Sequence, residues 1–377
     1  MLDNYWLIII ITAFVAALLL TGLIIPQVLR IAFRWRLFDN PDVRKVHMGA
    51  VPRLGGTTFF PIVVCSISLI LGLFINFEQF SPDINYSYNT EPILFLVCSM
   101  TMLYLVGLAD DLVGVKYAVK FAVQAICAVM ITLSGVCIHD LYGLFAIEQI
   151  PTWIGWLLTG FAVVYIVNSF NLIDGIDGLA SGIAVITLAY FGILFYLDGF
   201  YVDSMIAWTV CGTLLAFFYY NVFGNPDRKN KIFMGDTGSL TVGMIIAFLA
   251  LELSTRPVPS MLGGASPLIV AFAPLIIPLF DVVRVFLHRI RLHRNPFLPD
   301  RNHIHHKLLA LGLSTKQSLL IILLSLIILL VINLLLSQLQ FNTLLLLFDI
   351  LIWSVANVAL TKTIRKREQR LGTSLYE

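Results

Sequence analysis

The sequence predicts an all-α polytopic membrane protein of about eleven transmembrane helices. Of its 377 residues, 59% are hydrophobic and 12% charged, roughly half the charged share of a soluble domain. Apolar runs close to the ~20 residues that a helix needs to cross a bilayer recur along the whole chain. All but one Lys or Arg belong to alternate connections between them, the pattern that orients membrane proteins. The net charge of +2 points to no partner by itself, and nucleic acid is not expected.

The first run, 5–29, has no basic residue before it and no small-residue cleavage site. It reads as a retained span and not as a signal peptide. Further runs lie near 57–76, 92–109, 117–138, 153–172, 179–197, 204–223, 238–253, 267–287, 318–337 and 341–360. The eighth is the most marginal, being short and ending in Glu252. The five cysteines form no C-x-x-C pair and read as buried small residues. No repeat, low-complexity tract or linker divides the chain, so 1–377 is expected to form one integral membrane domain.

With eleven spans, 23 of the 24 Lys and Arg fall on one face, and only Arg256 on the other. The positive-inside rule then sets the N-terminus outside and the C-terminus in the cytoplasm. On that topology the acids share the cytoplasmic face. Asp110 and Asp111 end the third span. Asn171, Asp174 and Asp177 lie between the fifth and sixth, and Asp236 opens the eighth. Asp281 is near the cytoplasmic end of the ninth, and His303, His305 and His306 follow it in a long loop. Carboxylates at the edge of hydrocarbon cost a few kcal/mol each, so a chain that gathers them there has a use for them.

That use is suggested by residue type. Carboxylates with an amide bind a hard divalent cation, and Mg²⁺ takes one or two of them together with substrate phosphates. Glycines in Asp174-Gly-Ile-Asp177-Gly and Gly235-Asp-Thr-Gly238 allow tight turns and close ligand approach. Bases and histidines nearby can hold a diphosphate, and Phe233 can stack on a nucleobase. The residues point to Mg²⁺-dependent transfer of a phosphate-bearing group at the membrane surface.

Four motifs in order carry a resemblance: Asp110-Asp-Leu-x-Gly-x-Lys116, Asn171-Leu-Ile-Asp-Gly-Ile-Asp-Gly-Leu-Ala180, Phe233-Met-Gly-Asp-Thr-Gly-Ser239 and His303-x-His305-His306. With Pro52-Arg-Leu-Gly-Gly56, they resemble the polyprenyl-phosphate N-acetylhexosamine-1-phosphate transferases of glycosyltransferase family 4. The form Asp300-Arg-x-His-x-His-His306 is closest to the bacterial undecaprenyl-phosphate GlcNAc-1-phosphate transferases. The resemblance spans roughly 5–360.

It implies a bacterial inner-membrane enzyme with a cytoplasmic active site that joins a UDP-N-acetylhexosamine to undecaprenyl phosphate and releases UMP. Mg²⁺ is the expected cofactor, with Mn²⁺ able to substitute, and homodimerisation is an option. Asn171 and Asp236 would ligate the metal. Phe233, Asp177, Lys120, Arg301 and His306 would bind substrate, with Phe233 on uracil, Asp177 near the nucleotide and Lys120 on phosphate. Asp110 or Asp111 would assist the lipid phosphate, and His303 and His305 would line the sugar and diphosphate pocket. Asp174 is set aside as a cap or brace for the next helix, and Asp281 as an i, i+3 partner of Arg284. The segment 221–231 is longer than the family's usual approach to Phe233. Asn221, Asn225 and Asn230 compete there for a place beside the nucleotide. The alternative class is a secondary transporter, which would bind its coupling ion near the bilayer midplane within repeated, broken helices.

Overall fold

The computed structural model describes residues 2–38, 51–76, 91–256, 258, 262–293, 295 and 302–372. Arg301, expected to bind substrate, lies outside them. The helices are α1 (Leu2–Trp35), α2 (Phe59–Asn76), α3 (Glu91–Val113), α4 (Tyr117–Leu133), α5 (Thr152–Ile173), α6 (Leu179–Leu197), α7 (Tyr201–Phe223), α8 (Gly235–Ser254), α9 (Pro267–Phe272), α10 (Ile276–Arg291), α11 (Ile304–Ala310), α12 (Thr315–Ser337) and α13 (Asn342–Leu371). A 3₁₀ turn, Ala273–Leu275, joins α9 and α10 into one interrupted span, Pro267–Arg291.

Among the described residues, ten helical segments are long and apolar enough to cross a membrane, so this is a multi-pass membrane protein. The eleventh expected span is α4, whose 17 residues fall short of the others. The segment that looked marginal, α8, is a regular 20-residue helix and the most enclosed of all. Its Glu252 is accommodated because Arg256, one turn on, pairs with it and with Asp203 (3.1 Å) while lying 3.9 Å over the Phe200 ring. Arg256 is thereby neutralised within the fold.

The core is built around α8, which packs against α3, α5 and α6, with α1 paired to α7 outside it. Lipid offers no hydrophobic drive between spans, so close approach through small residues holds them together. Gly107 of α3 sits directly on the backbone of Thr237, where a Cβ would come within 2.6 Å of its Cα. The peripheral helices α12 and α13 keep most of their apolar surface outward. Cys65 and Cys98 are also exposed, against the expectation that all five cysteines are buried, and all five are free.

The all-α expectation needs one amendment. Asp140–Leu144 and Ile147–Gln149 form an antiparallel hairpin, β1–β2. It lies at the end of the bundle where α8 terminates, with the Tyr142 hydroxyl donating to the Ser254 carbonyl (3.3 Å). Asn342, at the start of α13, donates to the Tyr142 carbonyl. The candidate site is at the opposite end.

Candidate active site

The site forms where α3 ends, α4 begins, α5 ends and α8 begins. Its centre is Lys120. The ammonium lies 2.7 Å from Asp236 Oδ2 and 3.1 Å from Asp110 Oδ2. Asp110 Oδ1 accepts from the Val115 N–H (2.6 Å), which folds the α3–α4 turn back and brings Lys120 over it.

Adjacent in sequence, Asp110 and Asp111 do different things. Asp111 Oδ1 accepts from the Asp236 N–H (2.8 Å), and its Oδ2 accepts from the Thr237 N–H (2.9 Å) and hydroxyl (2.5 Å). A helix start has N–H groups without intrahelical partners and a partial positive charge. Asp111 satisfies both needs of α8 from another helix. Asp110 is left as the member of the pair that faces Lys120 and Asp236.

The glycine-rich approach to α8 is held by a short ladder. Phe233 N–H donates to the Pro52 carbonyl (2.8 Å), and the N–H groups of Gly55 and Gly56 donate to the carbonyls of Phe233 (2.9 Å) and Met234 (2.8 Å). Pro52–Gly56 thereby fixes the turn that presents Asp236, with Gly235 at φ +73°. Phe233 itself is half-buried.

Asn171 ends the inner face of α5 and donates through Nδ2 to Ser239 Oγ (2.9 Å). Its side-chain carbonyl oxygen has no hydrogen-bond partner among the described residues. Asp177, in the following turn, pairs with Lys231 (2.6 Å). Of the three competing asparagines, Asn221 is the one built into this turn. Its Oδ1 accepts from the Gly178 N–H (2.6 Å) and its Nδ2 donates to the Ile232 carbonyl (2.8 Å). Asn225 and Asn230 bond within their own loop. Asp177 and Lys231 line a cavity of about 350 Å³ with Phe223, Asn225 and Lys316.

From its place in the sequence Asp174 reads as a cap or brace for the next helix. It ends α5 half-buried. Loss of hydration, with the charges of Asp236, Asp177 and Asp111 nearby, pushes its carboxyl up to about 7, against a partial offset from Arg53. It therefore belongs to the same electrostatic cluster.

The histidines complete one wall. Asp281 does pair with Arg284 (2.8 Å), as the spacing suggests, but it also accepts from the Ile304 N–H (3.0 Å) and meets His303 Nδ1 at 2.8 Å. It is the anchor of the histidine helix α11. His305 stacks parallel to His303 (5.8 Å) and lies 4.1 Å from His306. The His305 ring packs on Gly175, where any Cβ would collide with it. It is 1% exposed, and neither ring nitrogen has a hydrogen-bond partner among the described residues. Burial and the neighbouring His306 and His303 hold its imidazolium form well below the usual range, so it stands as a neutral group. Lys307 ties α11 to α13 through Asn357 and Thr361 (both 3.1 Å).

No group of three or more His, Cys, Asp or Glu fit to hold a metal occurs among the described residues. The donors available are those Mg²⁺ prefers when substrate completes its shell: an Asp236 carboxylate and the free carbonyl oxygen of Asn171. These residue types would suit that ion if substrate phosphate and water completed its shell.

Fold and site together define a polytopic membrane protein with an oxygen-rich, lysine-bridged centre at one end of its bundle. Residues 93–254 match the model of glycosyl transferase family 4. The chain is 33% identical over 315 residues to a probable undecaprenyl-phosphate N-acetylglucosaminyl 1-phosphate transferase of Bacillus subtilis (strain 168), covering 83% of this chain and 81% of that one. It is 30% identical over 310 residues to the undecaprenyl-phosphate alpha-N-acetylglucosaminyl 1-phosphate transferase of Salmonella typhi, covering 82% and 78%. To the protein of that name in Escherichia coli (strain K12) it is 29% identical over 316 residues, covering 82% and 79%. The chain belongs to glycosyl transferase family 4.

Proposed function

We propose that the protein transfers N-acetylglucosamine 1-phosphate from UDP-GlcNAc to undecaprenyl phosphate and releases UMP, starting a lipid-linked surface glycan. The reaction would run at the cytoplasmic face of the inner membrane, with the N-terminus outside. The observation that carries this reading is Lys120 bridging Asp110 and Asp236, an arrangement that a phosphorylated substrate can enter by exchanging carboxylate for phosphate at the ammonium. The names of the relatives support the sugar phosphate and the lipid acceptor. The basic residues on the same face support the orientation.

A phosphate monoester is largely dianionic near neutrality, its second pKa being about 6. Its oxygen can attack the β-phosphorus of the donor directly. One P–O bond forms, the bond to the α-phosphate oxygen breaks, and UMP carries away the electron pair. Little base catalysis is required; positioning and charge neutralisation dominate. Lys120 orients and neutralises phosphate, while Asp110 keeps that ammonium in place. Asp177 and Asn221 hold the nucleotide side, with Phe233 under the base. His303, fixed by Asp281, and neutral His305 line the wall of the sugar-diphosphate pocket, and His306 flanks them. Held by Asn171 and Asp236, Mg²⁺ would neutralise diphosphate charge. The transporter alternative calls for acids near the bilayer midplane, whereas these end α3 and begin α8.

The test is purified protein with Mg²⁺, undecaprenyl phosphate and a panel of UDP-sugars, scoring UMP. Release with UDP-GlcNAc that requires the lipid phosphate is expected. Ion uptake into liposomes without UMP from any sugar would overturn the reading.

A further inference from the structure

One turn deeper than the Lys120 bridge, α4 and α5 are joined by a reciprocal amide pair. Asn168 Nδ2 donates to Gln124 Oε1 (2.5 Å), and Gln124 Nε2 donates to Asn168 Oδ1 (3.4 Å). The second Asn168 proton goes to the Val164 carbonyl (2.8 Å). Gln124 is 2% exposed. Gln124 is flanked by apolar residues in α4, and Asn168 follows an apolar stretch of α5; burying an amide in such surroundings is costly unless it has a partner.

The pair's neighbours give it a purpose. Gln124 follows Lys120 by four residues, and Asn168 precedes Asn171 by three. Residues at those spacings share a helix face. The pair therefore lies about 6 Å below Lys120 and about 4.5 Å below Asn171 along their helices. Lys120 reaches Asp110 and Asp236, while Asn171 reaches Ser239.

The helix it pins is the short one. α4 has 17 residues and an outer face of exposed Ile126, Val129 and Leu133. Lipid offers no hydrophobic drive between helices, so packing alone defines the register of so short a helix weakly, and a hydrogen-bonded pair adds a fixed point. We propose that Gln124 and Asn168 are positioning residues that fix the register of α4 against α5, and so set Lys120 and Asn171 relative to Asp236. This rests on the proposed function only in giving Lys120 and Asn171 their tasks.

The experiment compares wild type, the double variant Gln124→Leu/Asn168→Leu, and the exchanged pair Gln124→Asn/Asn168→Gln in lipid nanodiscs. It reads kcat, KM for UDP-GlcNAc, the Mg²⁺ concentration for half-maximal rate, and the Mg²⁺ midpoint for raising Tm without substrate. The apolar pair should keep its metal-free Tm within about 5 °C of wild type, because removing both partners leaves no orphaned amide. Its kcat should fall at least about tenfold and both Mg²⁺ midpoints should rise about fivefold or more. The exchanged pair should restore all three to within about threefold. The proposal is overturned if the apolar pair keeps kcat and both midpoints within about twofold of wild type. It is equally overturned if the exchanged pair folds but is as impaired as the apolar one. Should the apolar pair not fold, Asn168→Ser, too short to reach Gln124, replaces it under the same thresholds for kcat and the two Mg²⁺ midpoints. An inactive wild type would sink the functional reading, while the thermal Mg²⁺ midpoint would still decide this one.

Discussion

The carboxylate of Asp111 holds the backbone N–H of Asp236 at 2.8 Å and the N–H of Thr237 at 2.9 Å. One helix thus caps another, and the residue capped is the acid at the centre of the site. Asp110, its neighbour, meets Lys120 instead. This division of labour shapes how the site should respond to substitution.

Asp111→Leu should be chiefly a stability variant. Losing a cap and leaving donors unmet costs about 1–3 kcal/mol, and Tm in detergent should fall by several degrees. Asp110→Asn should leave Tm nearly unchanged while kcat falls about 100-fold, because Lys120 loses the charge that aims it. Thermal unfolding alongside UMP release checks both; equal effects on Tm would refute the division.

Asn221 bridges the Gly178 N–H and the Ile232 carbonyl, joining the Asp177 turn to the segment that carries Phe233. Asn221→Leu should raise KM for UDP-GlcNAc about tenfold or more, since two buried backbone groups lose their partner and the turn shifts. Asn225→Ala and Asn230→Ala, whose bonds are local, should stay within about twofold of wild type.

Asp174 carries a pH dependence whose sign is fixed. Its folded carboxyl is raised from 3.8 to about 7. Between those values the native state keeps a proton that the unfolded state has lost, so stability falls as pH rises and the penalty is complete above about 7. Without divalent metal, Asp174→Asn should therefore be more stable than wild type at pH 8, by about 1–3 kcal/mol. The advantage should vanish below about pH 4. Tm measured in EDTA across that range would show it; a constant difference would contradict the cause given.

Much of this was legible in the sequence, because spanning helices announce themselves by length and hydropathy. The motifs likewise put Asp110, Asn171, Asp177 and Asp236 at helix ends before any geometry was available. What escaped depends on partners distant in sequence. Adjacent Asp110 and Asp111 read alike until α8 arrives to claim one of them. Arg284 is close enough to Asp281 to be foreseen, whereas His303, 22 residues on, is not. The hairpin 140–149 lacks the apolar alternation that marks a strand. Length misled between α4 and α8, because enclosure within the bundle, not hydropathy, decides which span is secure. Gln124 and Asn168 had a readable signal in their spacing from Lys120 and Asn171, but only contact between α4 and α5 gives it meaning.

Asp236, held by Lys120 and Asp111, is the pivot of the proposed sugar-phosphate transfer. The most direct measurement is UMP released by Asp236→Ala beside wild type, with Mg²⁺, UDP-GlcNAc and undecaprenyl phosphate. Wild type should release one UMP for each lipid-linked product, and the variant should fall by about 1,000-fold or more while remaining folded. Turnover by Asp236→Ala near the wild-type rate would contradict it.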